Sequence, residues 1–526
     1  MPIRMVEDDN QEQQQFNDDN NNNDSGGGGG QGSGGGPGLG TLLGFLPIIF
    51  GLFRNRPMLL VFLLVVGGFF YFKGCNFLGG NSAKGDTSMN TGCQMNQKIY
   101  DQAEVFESLN PDKTPLPEAT SLERFAPRRG DQGQQGSCVG WGSSYGARTI
   151  LQAATTGQNP DDIVFSPSYL YNTISLQGCD GSYIFKAMEV LTKEGVLPLK
   201  EFRYNDRDCD TKPDARQKTE AAQYKMRGYQ RLTSSGDKYD VDFQGVRQNI
   251  AAGAPVVIGM TVTKTFTYDM MGRKVWHPTQ AEYDGQGSLG GHCMCVIGYD
   301  DRIEGGAFQI MNSWSPKWGE NGLAWVRYKD FLHFTKEAYG LYPMAKKGDA
   351  ASKQFSCAVG LVNVSDKQYM PLQSAGGNLF KTVKPVTKGA KFKIEVKNTV
   401  ECYTYLFGQE TDNSSYVLFP YTPKHSAFCG ITGYRLFPKD YSLQPDQVGN
   451  KDFMAIVVTK QAIDYKQLNN SINASKQATY QGKINEALGS IAIKNVRFTN
   501  NNSTFGFETT ADEKSAVAMI LEVDKQ

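Results

Sequence analysis

The chain has 526 residues, and its 54 basic side chains balance its 54 acidic ones, so its formal net charge is zero. This length is too great for one ordinary core and predicts two or three domains. The balanced charge offers no basic surface, so nucleic acid is not expected as a partner. Ten cysteines do not make a disulfide-rich scaffold; sparse disulfides in an oxidising compartment and buried thiols fit equally well.

Residues 1–40 are rich in Gln, Asn and Gly. Such a composition cannot bury enough apolar surface to fold, so we predict a disordered tail. Beyond it the composition changes abruptly, and residues 58–72 contain no polar side chain except Tyr71. This run is shorter than the roughly 20 residues that span a bilayer, but it becomes long enough if Lys73 extends its amine to the surface and the span continues beyond it. We predict an N-terminal transmembrane helix within an anchor at residues 41–78.

The charges around this run predict its direction. Arg54 and Arg56 adjoin its first end, and basic residues stay preferentially in the cytoplasm. We therefore predict a single-pass protein with a cytoplasmic N-terminus and an extracytoplasmic (periplasmic) remainder. A buried core helix is the alternative, but the tail offers it nothing to pack against. A cleaved secretory signal is disfavoured because the run begins only at residue 58, and lipidation at Cys75 is disfavoured because Lys73 stands where a small residue is needed.

Residues 79–115 are polar and interrupted by Gly and Pro, and we interpret them as a linker. After it, Gln132 lies six residues before Cys138, which begins a segment that can be helical. A helix N-terminus and a nearby imidazole lower the pKa of a thiol, which is otherwise mostly protonated at neutral pH. His292 and Asn312 follow, so the order Gln, Cys, His, Asn supplies an oxyanion donor, a nucleophile, a proton carrier and a group that orients the imidazole.

The neighbours of these residues carry a family resemblance. Asn312 begins the sequence Asn-Ser-Trp, and residues 318–322 read Trp-Gly-Glu-Asn-Gly. With the order of the other three residues, these motifs resemble the papain-like (C1 family) cysteine peptidases, in a bacterial, membrane-anchored form. The resemblance covers residues 116–347. It implies an α+β fold with a helical left lobe and a β-barrel-like right lobe, a protein or peptide substrate, and no cofactor or metal.

The resemblance also assigns residues to roles. The implied catalytic residues are Cys138, His292, Asn312 and Gln132, and the implied substrate-binding residues are Gly181, Ser182 and Trp314. Gln135 stands where many relatives carry a cysteine, so their disulfide cannot form, and we predict a bond between Cys179 and Cys209 instead. The linker is too short for the long inhibitory propeptide of papain relatives, so activation by removal of a large prodomain is not expected.

Four other interpretations fit parts of this pattern. His292 alone, between apolar neighbours, is typical of a buried core histidine, and with Cys293 and Cys295 it suggests a metal site. Strand alternation places both cysteines on the face opposite His292, which disfavours a metal. A catalytically silent papain-fold binding protein is disfavoured by the intact catalytic residues, and a Cys-His acyl transferase or amidase is disfavoured by Asn312 in the third position.

Residues 354–526 show short alternating segments separated by Gly, Asn and Pro. This pattern predicts an antiparallel, β-sandwich-like domain. The run around Tyr403 and Tyr405 resembles bacterial accessory domains of unknown function that lie beside peptidases. These tyrosines suggest a binding face for a protein or ligand partner, and packing in the core is the alternative that is more frequent for aromatic residues in strands.

Overall fold

The computed structural model describes residues 3–7, 90–233, 240–344, 354–439, 441–510 and 515–526. Within these ranges the chain folds around two apolar cores. One core is formed by residues between Cys93 and Leu341. The other is formed by Ile3 together with residues between Phe355 and Val523. A mixed α/β first half and a β-rich second half agree with the fold predicted from the sequence.

Five of the nine helices described in the first half begin where a polar side chain caps them. Ser166 accepts a hydrogen bond from the Tyr169 N–H, and Asp214 and Gln217 form a reciprocal capping box. The helices are α1 (Gln97–Tyr100), α2 (Cys138–Gly140, the π-helical Trp141–Arg148 and Thr149–Thr156), α3 (Pro167–Ile174), α4 (Ile184–Lys193), α5 (Ala215–Ala221), α6 (Phe243–Ala251), α7 (Lys264–Tyr268), α8 (Gln280–Tyr283) and α9 (Tyr328–Phe334).

A sheet of ten described strands completes this half. Its strands are β2 (Val105–Phe106), β3 (Ala119–Ser121), β4 (Tyr229–Arg231), β5 (Val256–Thr263), β6 (Val275–Trp276), β7 (Ser288–Asp300), β8 (Ala307–Met311), β9 (Leu323–Arg327), β10 (Thr335–Leu341) and β17 (His425–Ser426). They run in the order β17-β2-β4-β10-β5-β7-β8-β9-β6, with β3 beside β7. The centre of β7 is buried along eight consecutive residues because α2 covers one of its faces.

The second core lies between two sheets of seven described strands each. The first contains β1 (Ile3–Glu7), β11 (Gln354–Asn363), β14 (Phe392–Asn398), β19 (Gly433–Phe437), β20 (Tyr441–Pro445), β22 (Arg497–Asn500) and β23 (Thr504–Thr510). The second contains β12 (Leu372–Gly376), β13 (Leu379–Thr382), β15 (Cys402–Gln409), β16 (Ser415–Phe419), β18 (Phe428–Cys429), β21 (Lys451–Thr459) and β24 (Ala516–Asp524). Helices α10 (Tyr465–Ala474) and α11 (Tyr480–Leu488) cover β16 and β24.

The described part of the predicted linker is folded. Strand β2 pairs with β4 on one side and with β17 of the C-terminal half on the other. The Arg435 guanidinium donates to the Glu107 carbonyl at 3.0 Å, and Lys113 forms a 2.9 Å ion pair with the buried Glu395. Residues 105–113 therefore join the two halves. Composition could not show this because the partners lie hundreds of residues away.

The first residues also differ from the predicted tail. Ile3–Glu7 forms β1, which pairs antiparallel with β20, and the Ile3 side chain is fully buried. The overall composition of residues 1–40 is polar and does not reveal the short, partly apolar stretch at its start. Five residues nevertheless suffice to pair with a sheet edge. The predicted anchor at residues 41–78 lies outside the described residues. Among the residues described, no helix is long and apolar enough to cross a bilayer.

Candidate active site

Cys138 is the first residue of α2, and its side chain is fully buried. Two glycines let this helix approach its neighbours closely. A Cβ on Gly140 would lie 2.6 Å from the Pro167 carbonyl oxygen, and a Cβ on Gly142 would lie 2.9 Å from the Cys293 sulfur. Larger residues would push the first turn of α2 away from β7, where His292 lies. The glycines therefore fix the position of the Cys138 thiol at the junction of helix and sheet.

His292 and Asn312 meet at the junction of β7 and β8. The His292 Nε2 and the Asn312 Oδ1 are 2.7 Å apart. An amide oxygen can only accept, so Nε2 carries the proton and Nδ1 is left with its lone pair. Nδ1 is buried and has no hydrogen-bond partner. The ring stacks on Trp314 with centroids 4.1 Å apart, which holds its plane. The sequence-predicted His292, Asn312 and Trp314 thus form one unit.

Gln132 is fully buried beside them. Its Oε1 accepts a 2.7 Å hydrogen bond from the Ser313 hydroxyl, which fixes which end of the amide points into the cleft. Its Nε2 donates to the carbonyl oxygens of Gln135 and Asn90, each at 2.9 Å. Ser313 was not singled out from the sequence as a functional residue, although it lies within the Asn-Ser-Trp motif. Its role depends on a contact across 181 positions.

Residues 90–95, here called the cleft segment, lie across these side chains. The Asn90 carbonyl oxygen accepts from the Gln132 amide and, at 3.1 Å, from the Trp314 indole N–H. The N–H groups of Gly92 and Cys93 donate to the Gly291 carbonyl oxygen at 3.3 and 3.1 Å. The backbone of the cleft segment therefore forms hydrogen bonds with Gln132 and Trp314 and with the backbone of Gly291, next to His292.

The predicted substrate-binding residues all contact this segment. The Ser182 N–H donates to the Gly92 carbonyl at 2.9 Å, and the Gln94 N–H donates to the Ser182 carbonyl at 3.0 Å. This is a parallel bridge between Cys93 and Ser182. Gly181 has a φ of +76°, and a Cβ there would lie 2.2 Å from the Gly92 carbonyl oxygen, so glycine is required for this approach. A peptide backbone thus occupies the predicted substrate site.

Burial controls the charge of the two reactive groups. It raises the pKa of the Cys138 thiol well above its ordinary value, and the neighbouring Cys93 adds to this effect. Burial lowers the pKa of His292 to about 4, which the hydrogen bond to Asn312 only partly opposes. Both groups are consequently neutral at pH 7 while the cleft segment is in place. A thiolate–imidazolium pair requires water or substrate in the cleft.

Glu337 is a charged residue that the sequence did not suggest. It accepts a 3.2 Å hydrogen bond from the Asn96 N–H, and burial raises its pKa to about 7. The ordinary pKa of this carboxyl group is 4.5, so between pH 7 and 4.5 Glu337 is protonated in the covered state and ionised in the open state. Acid therefore favours the covered state in this range. For His292 the covered value of about 4 lies below the ordinary 6.5, so between pH 6.5 and 4 the proton binds in the open state and acid favours opening.

These two effects oppose each other. We expect Glu337→Gln to remove the stabilisation of the covered state by protonated Glu337. Lowering the pH from about 7 to about 5 should then open the cleft more in this variant than in the wild type. Hydrogen exchange of the Cys93 and Gln94 amides, corrected with an unstructured peptide of the same sequence, measures opening at each pH. Equal pH dependence in both proteins would contradict the assignment of Glu337.

We expect Gln132→Ala to lower kcat by roughly 100-fold, because an oxyanion donor acts mainly in the transition state. The variant also loses a hydrogen bond to the cleft segment. Rates should therefore be divided by the fraction of molecules whose Cys138 can be alkylated. An effect confined to KM would make Gln132 a substrate-binding residue instead.

The two cysteines for which the sequence suggested a bond, Cys179 and Cys209, are joined by a disulfide with their Cα atoms 6.0 Å apart. Gln135 donates through its side chain to the Asp208 carbonyl oxygen at 3.2 Å, so it contacts the same loop without a covalent bond. Within the residues described, no group of three or more His, Cys, Asp or Glu side chains is arranged to hold a metal ion.

The middle of the chain is similar to known proteins. Residues 125–341 match the family model described as papain family cysteine protease. Cathepsin B-like CP3 of Giardia intestinalis is 27% identical over 194 residues, which are 36% of this chain and 61% of that protein. Cathepsin K of Mus musculus is 24% identical over 196 residues, 37% of this chain and 54% of that protein. The chain thus matches somewhat over half the length of these two relatives.

Among solved structures, xylellain, a cysteine protease from Xylella fastidiosa, aligns with 51% of this chain and 100% of its own at 22% identity and a TM-score of 0.40. The region matched by the family model contains Cys138, His292, Asn312 and Gln132. This part of the chain is a papain-like cysteine peptidase domain.

Proposed function

We propose that this domain hydrolyses peptide bonds with Cys138 as nucleophile, His292 as proton carrier, Asn312 as the group that orients the imidazole, and Gln132 as an oxyanion donor. One observation carries the proposal. The Gln132 amide donates to a peptide carbonyl, that of Asn90, at 2.9 Å in the covered site. A peptide carbonyl can therefore reach the donor that would stabilise a developing oxyanion.

Each proton has a defined place in the proposed mechanism. When the cleft segment leaves, water enters, and the Cys138 proton moves to the His292 Nδ1, which has a free lone pair. The thiolate attacks the substrate carbonyl carbon, and the negative charge on oxygen is stabilised by the Gln132 amide and the Cys138 N–H. His292 then protonates the leaving amine, and a thioester remains. Water, deprotonated by His292, hydrolyses the thioester and restores the thiol.

The covered site is a latent form of this enzyme. Cys138 and His292 are both fully buried, so a substrate reaches neither while the cleft segment is in place. A long inhibitory propeptide was not expected because the predicted linker is short, but six residues suffice to cover the site here. These residues lie in the part of the chain that the sequence suggested was a linker.

An epoxide that alkylates reactive thiolates tests the proposal. We expect it to modify Cys138 slowly and before any other cysteine, and peptide mapping locates the label. Labelling at another cysteine, or none at Cys138 after prolonged incubation, would refute the assignment. Product analysis with a peptide substrate and an added amine separates hydrolysis from acyl transfer. Hydrolysis leaves a free carboxylate on the acyl fragment, whereas acyl transfer joins that fragment to the added amine, and both release the same amine fragment.

We also propose that the enzyme is attached to a membrane through residues 41–78, in a single pass with the N-terminus cytoplasmic and the catalytic domain periplasmic. This arrangement requires that Ile3–Glu7 leaves β20 in the membrane-inserted protein. The support is the apolar run at residues 58–72 with Arg54 and Arg56 before it. Protease added outside spheroplasts should then digest the catalytic domain and leave the first 53 residues intact. Protection of the catalytic domain would place it in the cytoplasm.

For the C-terminal half we propose a role in binding a protein substrate. A cavity of about 540 Å³ lies where this half meets β2, and Tyr403, Tyr405, Phe428 and Tyr465 line it together with Phe106. Aromatic side chains of this kind supply contact area at low cost in conformational entropy. Tyr403→Ala should lower kcat/KM for casein and leave that for a short peptide unchanged. Equal effects on both substrates would oppose the proposal.

A further inference from the structure

Cys93 lies in the middle of the cleft segment and is buried, with 4% of its surface exposed. Its backbone is fixed by the 3.1 Å hydrogen bond to the Gly291 carbonyl. Its sulfur lies 3.3 Å from the position that a Cβ on Gly259 would take. The missing side chain of Gly259 therefore makes room for the Cys93 thiol on the face of β5.

Gly259 is paired directly with Cys293 of β7. Side chains of directly paired residues in antiparallel strands point to the same face, with Cβ atoms about 4.5–5.5 Å apart. Cys93 thus enters the space beside the Cys293 side chain, and the two thiols are in hydrogen-bond contact. The cleft segment and the strand that carries His292 present a pair of thiols to each other.

We propose that Cys93 and Cys293 form a reversible disulfide that locks the cleft segment over the active site. The inference rests on the proposed function, because the locked site is the proposed peptidase site. In the oxidised state the segment is tethered covalently to the residue next to His292. In the reduced state only hydrogen bonds and packing hold it, and it can leave.

The other cysteines near Cys93 are less suitable partners. Cys93 raises the pKa of Cys138 only through charge, whereas the hydrogen bond with Cys293 is the largest cause of the raised pKa of Cys93 itself. Cys295 lies further along β7 and packs against Gly146 of α2. Cys179 and Cys209 are already bonded to each other. The pairing with Cys293 also leaves the Cys138 thiol unmodified, so that reduction alone restores a competent nucleophile.

The oxidant is a small disulfide such as oxidised glutathione, and the reaction is thiol–disulfide exchange. While the segment is transiently open, the Cys93 thiolate attacks the small disulfide, forms a mixed disulfide and releases one thiol. As the segment closes, the Cys293 thiolate attacks the Cys93 sulfur and releases the second thiol. Two protein thiols are oxidised and one small disulfide is reduced to two thiols. A small thiol reverses both steps.

Burial favours this order of events. The hydrogen bond with Cys293 and burial raise the pKa of Cys93 well above its ordinary value, and burial raises that of Cys293. Thiols with raised pKa values react slowly, so exchange begins in the open state and the closed bond is protected from reductants. The small disulfides and thiols that reach Cys93 while the segment is open therefore decide whether the Cys93–Cys293 bond is formed or broken.

The test uses the full chain equilibrated in oxidised or reduced glutathione. Peptide mapping without reduction should find Cys93 linked to Cys293 only in the oxidised sample. The rate of Cys138 alkylation by an epoxide, after removal of glutathione, should be lower in the oxidised sample by about tenfold or more, since a cross-link strongly restrains the linked segment. In Cys93→Ser the ratio of the two rates should be close to one.

Cys357→Ser is the matched control, because Cys357 is equally buried but lies in the C-terminal half, and it should keep the wild-type ratio. The ratio of the two alkylation rates is compared, and not either rate alone, because Cys93→Ser can alter the closed state in both the oxidised and the reduced sample. No linked peptide in the oxidised sample, or a Cys93–Cys138 peptide in its place, would overturn the proposal. Both readouts are independent of turnover, so a protein that binds the epoxide and links its cysteines but cleaves no peptide would refute the function and leave the lock intact.

Discussion

Gly92→Ala is expected to expel the cleft segment and to raise both Cys138 alkylation and peptide hydrolysis. A Cβ at this position would lie 2.0 Å from the Gly136 carbonyl oxygen and 2.5 Å from its carbon. These are backbone atoms just before α2, so they cannot rotate away as a side chain would. Overpacking of this kind typically costs about 1–3 kcal/mol, which corresponds to an increase in the open fraction of roughly 5- to 150-fold.

Gly92 is well suited to this test because it lies in the cleft segment and not in the proposed catalytic machinery. Gly181 makes an equally close contact, but it belongs to the substrate site, so its substitution would disturb both states. Lys98→Ala, an exposed position on α1, is the matched control and should leave both rates unchanged. Wild-type rates in Gly92→Ala would show that the cleft segment does not limit access to Cys138.

The second large effect is expected from Cys138→Ala, which should abolish peptide hydrolysis while the protein still folds. The thiolate is the covalent nucleophile in the proposed mechanism, and no other group can form the thioester. The substitution removes only a sulfur atom from a buried site, so its cost in stability is about 1 kcal/mol. Turnover in a peptide assay and the melting temperature measure the two effects separately.

Cys357→Ala serves as the comparison, because it removes a buried thiol from the other core and should retain activity. Each substitution is best combined with Gly92→Ala. The open cleft then gives a high rate of hydrolysis, so that a difference between the two variants can be measured. Hydrolysis by the Cys138→Ala, Gly92→Ala protein at the rate of Gly92→Ala alone would rule out Cys138 as the nucleophile.

The sequence predicted the part of the site that local motifs encode. Gln132 and Cys138 lie in one short stretch, Asn312 begins a distinctive motif, and the structure places His292 2.7 Å from Asn312 as that order suggested. Catalytic groups of this kind leave such motifs because several neighbouring residues are needed to hold each one. The two cysteines of the Cys179–Cys209 bond were likewise suggested by the residue that stands at position 135.

The cleft segment could not be predicted in the same way. Its contacts with Ser182 and Gly291 are hydrogen bonds between backbone groups, and backbone groups are the same in every sequence. Composition suggested a linker, because few of its side chains are large and apolar. Gly92 is a residue of the segment whose identity the fold requires, because only glycine fits against Gly136. This requirement becomes visible only when the positions of both residues are known. Contacts with residues that are distant in the sequence hold this stretch over the site.

Strand β1 has a consequence for the path of the chain. It pairs with β20 through five residues, and both strands belong to one polypeptide. A single membrane crossing between residues 7 and 90 would leave the two strands in different compartments, where they cannot pair. The proposed single pass therefore requires Ile3–Glu7 to leave β20, whereas the paired arrangement keeps both strands in one compartment. A cysteine introduced at Arg4 and probed with a membrane-impermeant thiol reagent shows on which side of the membrane these residues lie.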